Sequence, residues 1–177
     1  VDEWLTETDV GGADETYDGE VLDRRGDSEI RIDVGVGGNG GTSAYDPSAV
    51  VVSPGTTVRW TWADGREMHN VVADPARQLG ESDYEFSSGG PVAEDGHVFT
   101  QSLDREGVAL YHCQGIAGAV QGRQRGPTGV ARLDTGGGQP SVSGRTAGRF
   151  IGESPETFFH LEPHLKHGMK GGIAVIE

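Results

Sequence analysis

The chain has 177 residues, which is long enough for one domain with a buried core and short for two. Hydrophobic residues make up 34% of the sequence and glycine occupies 30 positions, which favours a small β-rich core with many turns over a helical bundle. The formal net charge of −14 argues against nucleic acid as a partner, because phosphate binding needs a basic surface.

The basic residues are unevenly distributed between the two types, with 12 arginines and 2 lysines. An acidic, lysine-poor chain of low hydrophobicity is typical of proteins from salt-loving microbes, in which salt screens the repulsion between carboxylates. An ordinary acidic secreted protein is the alternative.

The sequence has no initiator Met, no signal-peptide pattern and no apolar run near the roughly 20 residues that span a membrane. We therefore expect a mature or trimmed form that contacts a membrane only through a possible anchor absent from this chain.

Along the chain, the sequence predicts a tether followed by many short strands. Residues 1–20 are acidic with few apolar anchors, which predicts a flexible N-terminal tether before a domain over 21–177. Alternating apolar residues predict a strand over 28–36. Further short strands are predicted at 49–52, 56–62, 70–72, 96–103, 107–112 and 172–176. Short strands separated by turn signals predict an all-β protein, a Greek-key β-sandwich.

Two stretches lack a clear strand pattern. The glycine-rich residues 35–41 are not followed by a helix, so we do not interpret them as a phosphate-binding loop. Residues 75–95 are mixed and polar, with room for a brief helical turn.

The segment 114–161 differs from the rest of the chain in composition. It carries 11 glycines in 48 residues, and five Arg against one Asp and two Glu give it a charge of +2. The remainder of the chain therefore carries −16, and such a reversal marks a boundary. Loops of this length are uncommon inside compact domains. We expect a long, Gly-rich, mostly flexible inserted loop.

Four residues could form a metal site. Histidine 69 opens a short strand, Cys113 ends an apolar strand, and His164 and Met169 lie five positions apart in an expected loop before the last strand. Two imidazoles and a thiolate with a weak axial thioether are the ligand set of a blue-copper electron-transfer site. Each residue also has a purely structural interpretation. His69 could be a loop histidine whose hydrogen bonds are satisfied, Cys113 a small buried residue, and Met169 a side chain that only packs in the core.

Several motifs together resemble the halocyanins, small blue copper proteins of haloarchaea within the plastocyanin-like cupredoxins. The motifs are Gly38-Asn39-Gly40, Tyr45-Asp46-Pro47, Val52-Ser53-Pro54-Gly55-Thr56-Thr57-Val58, Trp60-Thr61-Trp62, Met68-His69-Asn70-Val71-Val72 and Glu162-Pro163-His164-Leu165-Lys166-His167-Gly168-Met169-Lys170-Gly171. The resemblance covers roughly residues 15–113 and 162–177 and implies a cupredoxin-like fold. It implies one mononuclear copper ion on His69, Cys113, His164 and Met169, with Asn70 tying the two ligand loops together behind the ligands.

The resemblance also implies what the protein does. We expect single electrons to pass between redox partner proteins of a membrane electron-transport chain at the outer face of the cell, outside the cytoplasm. No substrate is transformed, so no enzymatic activity is expected, and the chain has no Gly-x-Ser-x-Gly nucleophile motif.

The sequence departs from the family in the copper loop. The family separates the Cys and His ligands by two residues, whereas 50 residues lie between Cys113 and His164 here. The loop either bulges out with the site intact, or the site is altered or lost and the protein is a metal-binding or structural module. In the second case His160 and His164, four residues apart, could share a zinc-like or type-2 copper site. His97, His112 and His167 are expected to be structural or exposed.

Overall fold

The computed structural model describes residues 1–8, 11–75, 82–115 and 163–177. The helices in this part of the chain are α1 (Asp2–Thr6) and α2 (Pro163–Lys166). The strands are β1 (Leu22–Asp23), β2 (Glu29–Gly38), β3 (Gly41–Asp46), β4 (Ala49–Val52), β5 (Thr56–Trp62), β6 (Val72–Ala73), β7 (Phe86–Ser87), β8 (Val98–Leu103), β9 (Gly107–His112) and β10 (Lys170–Val175).

The strands form two sheets that enclose the core. One sheet has the order β1-β4-β10-β9-β6-β7 and the other has the order β3-β2-β5-β8. Strand β10 pairs in parallel with β4 and antiparallel with β9, so the end of the chain lies at the centre of the larger sheet. The predicted all-β sandwich is confirmed, and spatial neighbours such as β4 and β10 come from distant parts of the chain.

The core follows from strand periodicity. Strand β5 alternates buried and half-buried positions, so Val58, Trp60 and Trp62 point to one face, as the sequence predicts. The Trp60 ring lies 5.4 Å from the Tyr111 ring in an edge-to-face arrangement, and this contact joins the two sheets. The aromatic residues and the β-branched side chains around them fill the space between the sheets.

Strand β3 was not predicted, although the sequence carries a signal for it. Strands β2 and β3 form a hairpin whose two-residue turn is Asn39-Gly40. Both turn residues have positive φ, +54° and +80°, which suits Asn and Gly. An Asn-Gly pair between two extended runs is the strongest short-range hairpin signal, and residues 35–41 are therefore a hairpin rather than a loop.

Residues 1–20 differ from the expected flexible tether. Trp4 and Leu5 of α1 are buried, with 3% and 0% of their surface exposed, and they pack with Leu110 on the outer face of the larger sheet. Trp4 also donates a hydrogen bond from Nε1 to the carbonyl of Gly171. Two large apolar side chains supply enough buried surface to hold an otherwise acidic segment on the domain.

The remaining differences are local. Residues 82–95 contain the short strand β7, and the predicted helical turn is not found in the described part of 75–95. Most of the predicted insertion at 114–161 lies outside the described residues, as does His160. Neither helix in the described ranges has the length and apolar character needed to cross a membrane.

Candidate metal centre

Histidine 69 lies in the loop that joins the two sheets between β5 and β6. Its backbone forms a two-way bridge with Val92, with N–H to O distances of 3.0 and 2.9 Å. Its carbonyl also accepts a hydrogen bond from Trp62 Nε1 at 3.1 Å. The His69 side chain is fully buried. The loop is therefore held by the bridge to Val92 on one side and by the core residue Trp62 of β5 on the other.

Cysteine 113 follows directly after β9 and extends its pairing with β10. Its N–H donates to the carbonyl of Met169 at 3.1 Å, one residue beyond the pair formed by His112 and Lys170. The Cys113 side chain is fully buried. Strand register thus fixes where the thiol lies relative to the start of β10.

The third region is a short segment before β10. Residues 163–166 form one helical turn where a loop was expected, because Pro163 suits the first turn of a helix and Gly168, at φ +87°, ends it. The carbonyl of His164 accepts hydrogen bonds from the N–H groups of His167 and Met169, at 3.1 and 2.9 Å. Met169 is fully buried in the same apolar cluster as Cys113, and His164 is half-buried.

The three regions bring two imidazoles and one thiol together. Cys113 Sγ lies 3.2 Å from His164 Nδ1 and 3.7 Å from His69 Nδ1. Candidate ligand atoms of all three residues lie within 4.8 Å of one another. Metal–sulfur and metal–nitrogen bonds of about 2.3 and 2.0 Å span at most about 4.3 Å, so one ion between these atoms suits both separations.

Both imidazoles are held neutral by their surroundings. Burial, reinforced by neighbouring His164, lowers the pKa of His69 from 6.5 to about 4, although Glu67 and Asp64 oppose the shift. Burial also lowers the pKa of His164, against the opposing charge of Glu67. Neutral imidazole is the form that binds metal. The pair is therefore ready to accept an ion at neutral pH without first losing protons.

Asn70 joins the first ligand loop to the chain beyond Cys113. Its Oδ1 accepts a hydrogen bond from the Gln114 N–H at 2.9 Å, and its Nδ2 donates to Gln114 Oε1 at 3.2 Å. Its backbone N–H points at Cys113 Sγ at 3.4 Å. A donor aimed at sulfur favours the thiolate, and the amide pair fixes the spacing of the two loops.

Two supports of His69 were not anticipated from the sequence. Gly35 leaves room for the imidazole: a Cβ there would lie 2.8 Å from His69 Cδ2, at a backbone φ of +79°. Glu67, which accepts a hydrogen bond from Thr42 at 2.7 Å, places a carboxylate oxygen 4.0 Å from His69 Nε2. Periodicity carries no signal for either, because both depend on strands that meet only in the folded chain.

The donor set fits a copper ion. A thiolate suits Cu(I) and imidazoles suit both copper and zinc, while a nearby buried Met adds a thioether that selects soft metals. The ligand role of each of His69, Cys113, His164 and Met169 stays a prediction.

Sequence comparisons agree with this chemistry. Residues 32–122 match the family of copper-binding proteins described as the plastocyanin/azurin family. Over 124 residues the chain is 44% identical to a halocyanin from Natronomonas pharaonis, an alignment that covers 67% of this chain and 69% of that protein.

Two solved structures are similar at low identity. A purple cupredoxin from Nitrosopumilus maritimus is 18% identical, with a TM-score of 0.44, over 83% of this chain and 99% of its own. A copper-containing nitrite reductase from Thermus scotoductus is 12% identical, with a TM-score of 0.45, over 84% of this chain. This chain spans only 22% of the reductase. The sequence match and the His–Cys–His cluster are what decide the family, and the chain belongs to the plastocyanin/azurin family of copper-binding proteins.

Proposed function

We propose that this protein carries single electrons between redox partner proteins, using one copper ion held by His69, Cys113 and His164 with Met169 as a weak axial ligand. The observation that carries the proposal is the approach of Cys113 Sγ to the Nδ1 atoms of both histidines, at 3.2 and 3.7 Å. The Cys113 thiol therefore reaches His164 even though 51 positions separate them in sequence. This approach argues against a site lost to the insertion.

Each residue contributes a separate property. Cys113, with the Asn70 N–H aimed at its sulfur, supplies a thiolate in a dry pocket. His69 is fully buried, whereas His164 is half-buried and is the ligand through which an electron can leave toward a partner. Copper bound there supplies one-electron chemistry between Cu(II) and Cu(I). An electron carrier transforms no substrate, so the role that we assign is electron transfer rather than catalysis.

The cellular setting is also part of the proposal. We place the redox partners in a membrane electron-transport chain at the outer face of the cell, as the resemblance to the halocyanins implies. The net charge of −14 supports a salt-rich environment, because dense carboxylates repel one another less when salt screens them.

The test is the visible absorption spectrum of the metal-free chain after copper addition and oxidation. We expect an intense blue band from the thiolate–copper bond, and we expect Cys113→Ser to abolish it while the variant still folds. Lys166→Met, an exposed change near His164, is the matched control and should keep the colour. A pale copper-loaded protein would contradict the proposal and favour the alternative of a cupredoxin-like module with an altered or lost copper site.

A further inference from the structure

The N-terminal arm, defined as residues 1–8 and 11–17, lies against the ligand loop, defined as residues 163–170. The Gly12 N–H donates to the carbonyl of Leu165 at 3.0 Å, and Leu5 and Leu165 pack in one apolar cluster. These contacts join the start of the described chain to the segment that carries His164 and Met169.

The contact between arm and loop is backbone against backbone. A Cβ on Gly11 would lie 2.4 Å from the Leu165 oxygen, and one on Gly12 would lie 2.6 Å from the Lys166 oxygen. On the loop side, a Cβ on Gly168 would lie 2.0 Å from the Ala13 oxygen. Glycine on both sides of one contact means that the two backbones are closer than any side chain permits. Such a surface fixes position more tightly than packing between flexible side chains.

Lysine 170 joins the two segments through its buried ammonium group. The residue is fully buried, and its Nζ donates to the carbonyls of Trp4 and Glu7 at 3.1 and 2.9 Å. Nζ also lies 4.7 Å from the centre of the Trp4 ring. These two carbonyls end α1, where a helix leaves its last carbonyls without partners. A lysine beside Met169 therefore caps the helix of the arm.

Asn39, in the turn between β2 and β3, contacts both the N-terminal arm and the ligand loop. Its Nδ2 donates to Asp14 Oδ1 at 3.1 Å and to the Gly168 carbonyl at 3.2 Å, and its Oδ1 accepts from the Glu15 N–H at 2.8 Å. One buried amide of the β2–β3 turn thus bonds both to the arm and to the ligand loop.

Chain connectivity does little to position this loop relative to Cys113. Fifty residues separate Cys113 from His164, and the cost of closing a loop of that length changes only slowly with its length, so the sequence separation alone positions neither end. The position of His164 and Met169 must therefore come from contacts made by the loop itself. Besides its pairing with β9, the approach of His164 to Cys113 and His69, and the packing of Leu165 in the cluster of Leu110, the loop is held by its contacts with the arm and Asn39.

We propose that the N-terminal arm is a positioning element of the metal centre, with Lys170 and Trp4 as positioning residues that set where His164 and Met169 lie relative to Cys113. The inference rests on the proposed copper function for its spectroscopic consequence. Its structural consequence, restraint of the ligand loop by the arm, is independent of copper.

The decisive variant is Lys170→Met, which keeps the length of the side chain and removes its donors, with Lys166→Met as the exposed control on the same loop. In the metal-free protein we expect the amides of Gly168 and Met169 to exchange hydrogen about tenfold faster or more in Lys170→Met than in the control. In the copper-loaded protein we expect a shifted blue band, an altered Cu(II) EPR signature and a changed reduction potential in Lys170→Met, and none of these in the control.

A milder variant covers the case in which Lys170→Met does not fold. Trp4→Phe keeps an aromatic ring under Lys170 and removes the hydrogen bond from Nε1 to the Gly171 carbonyl, so we expect about fivefold faster exchange and a smaller spectral shift. The inference is overturned if the amides of Gly168 and Met169 exchange hydrogen as slowly in the folded variants as in the wild-type protein. It is also overturned if these amides exchange faster while the absorption spectrum and reduction potential stay unchanged, because the arm would then stabilise the loop without positioning ligands. If the copper-loaded wild-type protein is not blue, the proposed copper function is wrong. Hydrogen exchange in the metal-free protein would still show whether the arm restrains the loop.

Discussion

The two halves of the metal centre are held by different means. His69 and Cys113 are fixed by strand pairing, through the bridge to Val92 and through the register between β9 and β10. His164 and Met169 lie on the ligand loop, which rests on the N-terminal arm through close backbone contacts. The two halves share the pairing of β9 with β10, which joins Cys113 to Met169, but only the second half also contacts a segment about 150 positions away in sequence.

Removing copper should produce the largest difference in hydrogen exchange between the two halves of the metal centre. A metal ion that binds the folded protein, at a free concentration a thousand times its Kd, stabilises the folded state by about 4 kcal/mol. We expect this stabilisation to slow amide exchange mainly in the ligand loop, because the β9–β10 pairing already protects the Cys113 side. Hydrogen exchange on metal-free and copper-loaded protein measures it, with Cys113→Ser as the control. Equal slowing in both halves would mean that the loop is as well fixed as the strands before copper binds.

Overpacking β10 should damage the strand pairing that the halves share. A Cβ on Gly171 would lie 2.2 Å from Cζ of the buried Tyr111 ring, so Gly171→Ala should lower the free energy of unfolding by about 3 kcal/mol. Urea denaturation measures this loss. Gly90→Ala, where a Cβ meets nothing within 4 Å, is the control. Equal stability in the two variants would show that Tyr111 moves aside at no cost.

Displacing His69 tests the strand-held half alone. Gly35→Ala puts a Cβ 2.8 Å from His69 Cδ2 at a φ of +79°, and we expect a loss of about 2 kcal/mol in unfolding free energy together with weaker copper binding. Gly55→Ala has a similar φ of +92° in open space, so it carries the backbone strain without the clash. Copper titration of both variants separates the two effects. If both bind copper equally well, contact with Gly35 does not position His69.

The smallest expected effect is at the link between the ligand loops. Asn70→Ala removes the amide pair with Gln114 and the bond to the Gly89 carbonyl, which are partly exposed, so we expect a loss of about 1 kcal/mol. The blue band should shift, since the spacing of His69 and Cys113 loosens. Asn70→Asp, which keeps the acceptor for the Gln114 N–H, should retain more of the wild-type spectrum. A spectrum unchanged in Asn70→Ala would remove Asn70 from the account of the site.

Prediction from sequence succeeded where the signal is periodic. The alternation of Val58, Trp60 and Trp62 gave β5 and its buried face, and short apolar runs gave β4, β9 and β10. It missed β3, whose signal was the Asn39-Gly40 turn rather than the composition of the strand. It also treated residues 1–20 as a tether, because Trp4 and Leu5 are only two apolar side chains in an acidic run. Their buried packing partners, Ala49, Leu110 and Leu165, lie more than 40 positions away, where periodicity carries no information.

The sequence by itself determined the β-sandwich and the types of metal donor, and it predicted which residues carry them, because these depend on local pattern and on side-chain chemistry. The tertiary structure alone decided that Cys113 meets His164 across 51 positions, and that Lys170 is buried under the carbonyls of Trp4 and Glu7. Both outcomes depend on contacts between segments that no local preference links. The register of β10 against β9 and the packing of the arm on the loop bring those segments together in the folded chain.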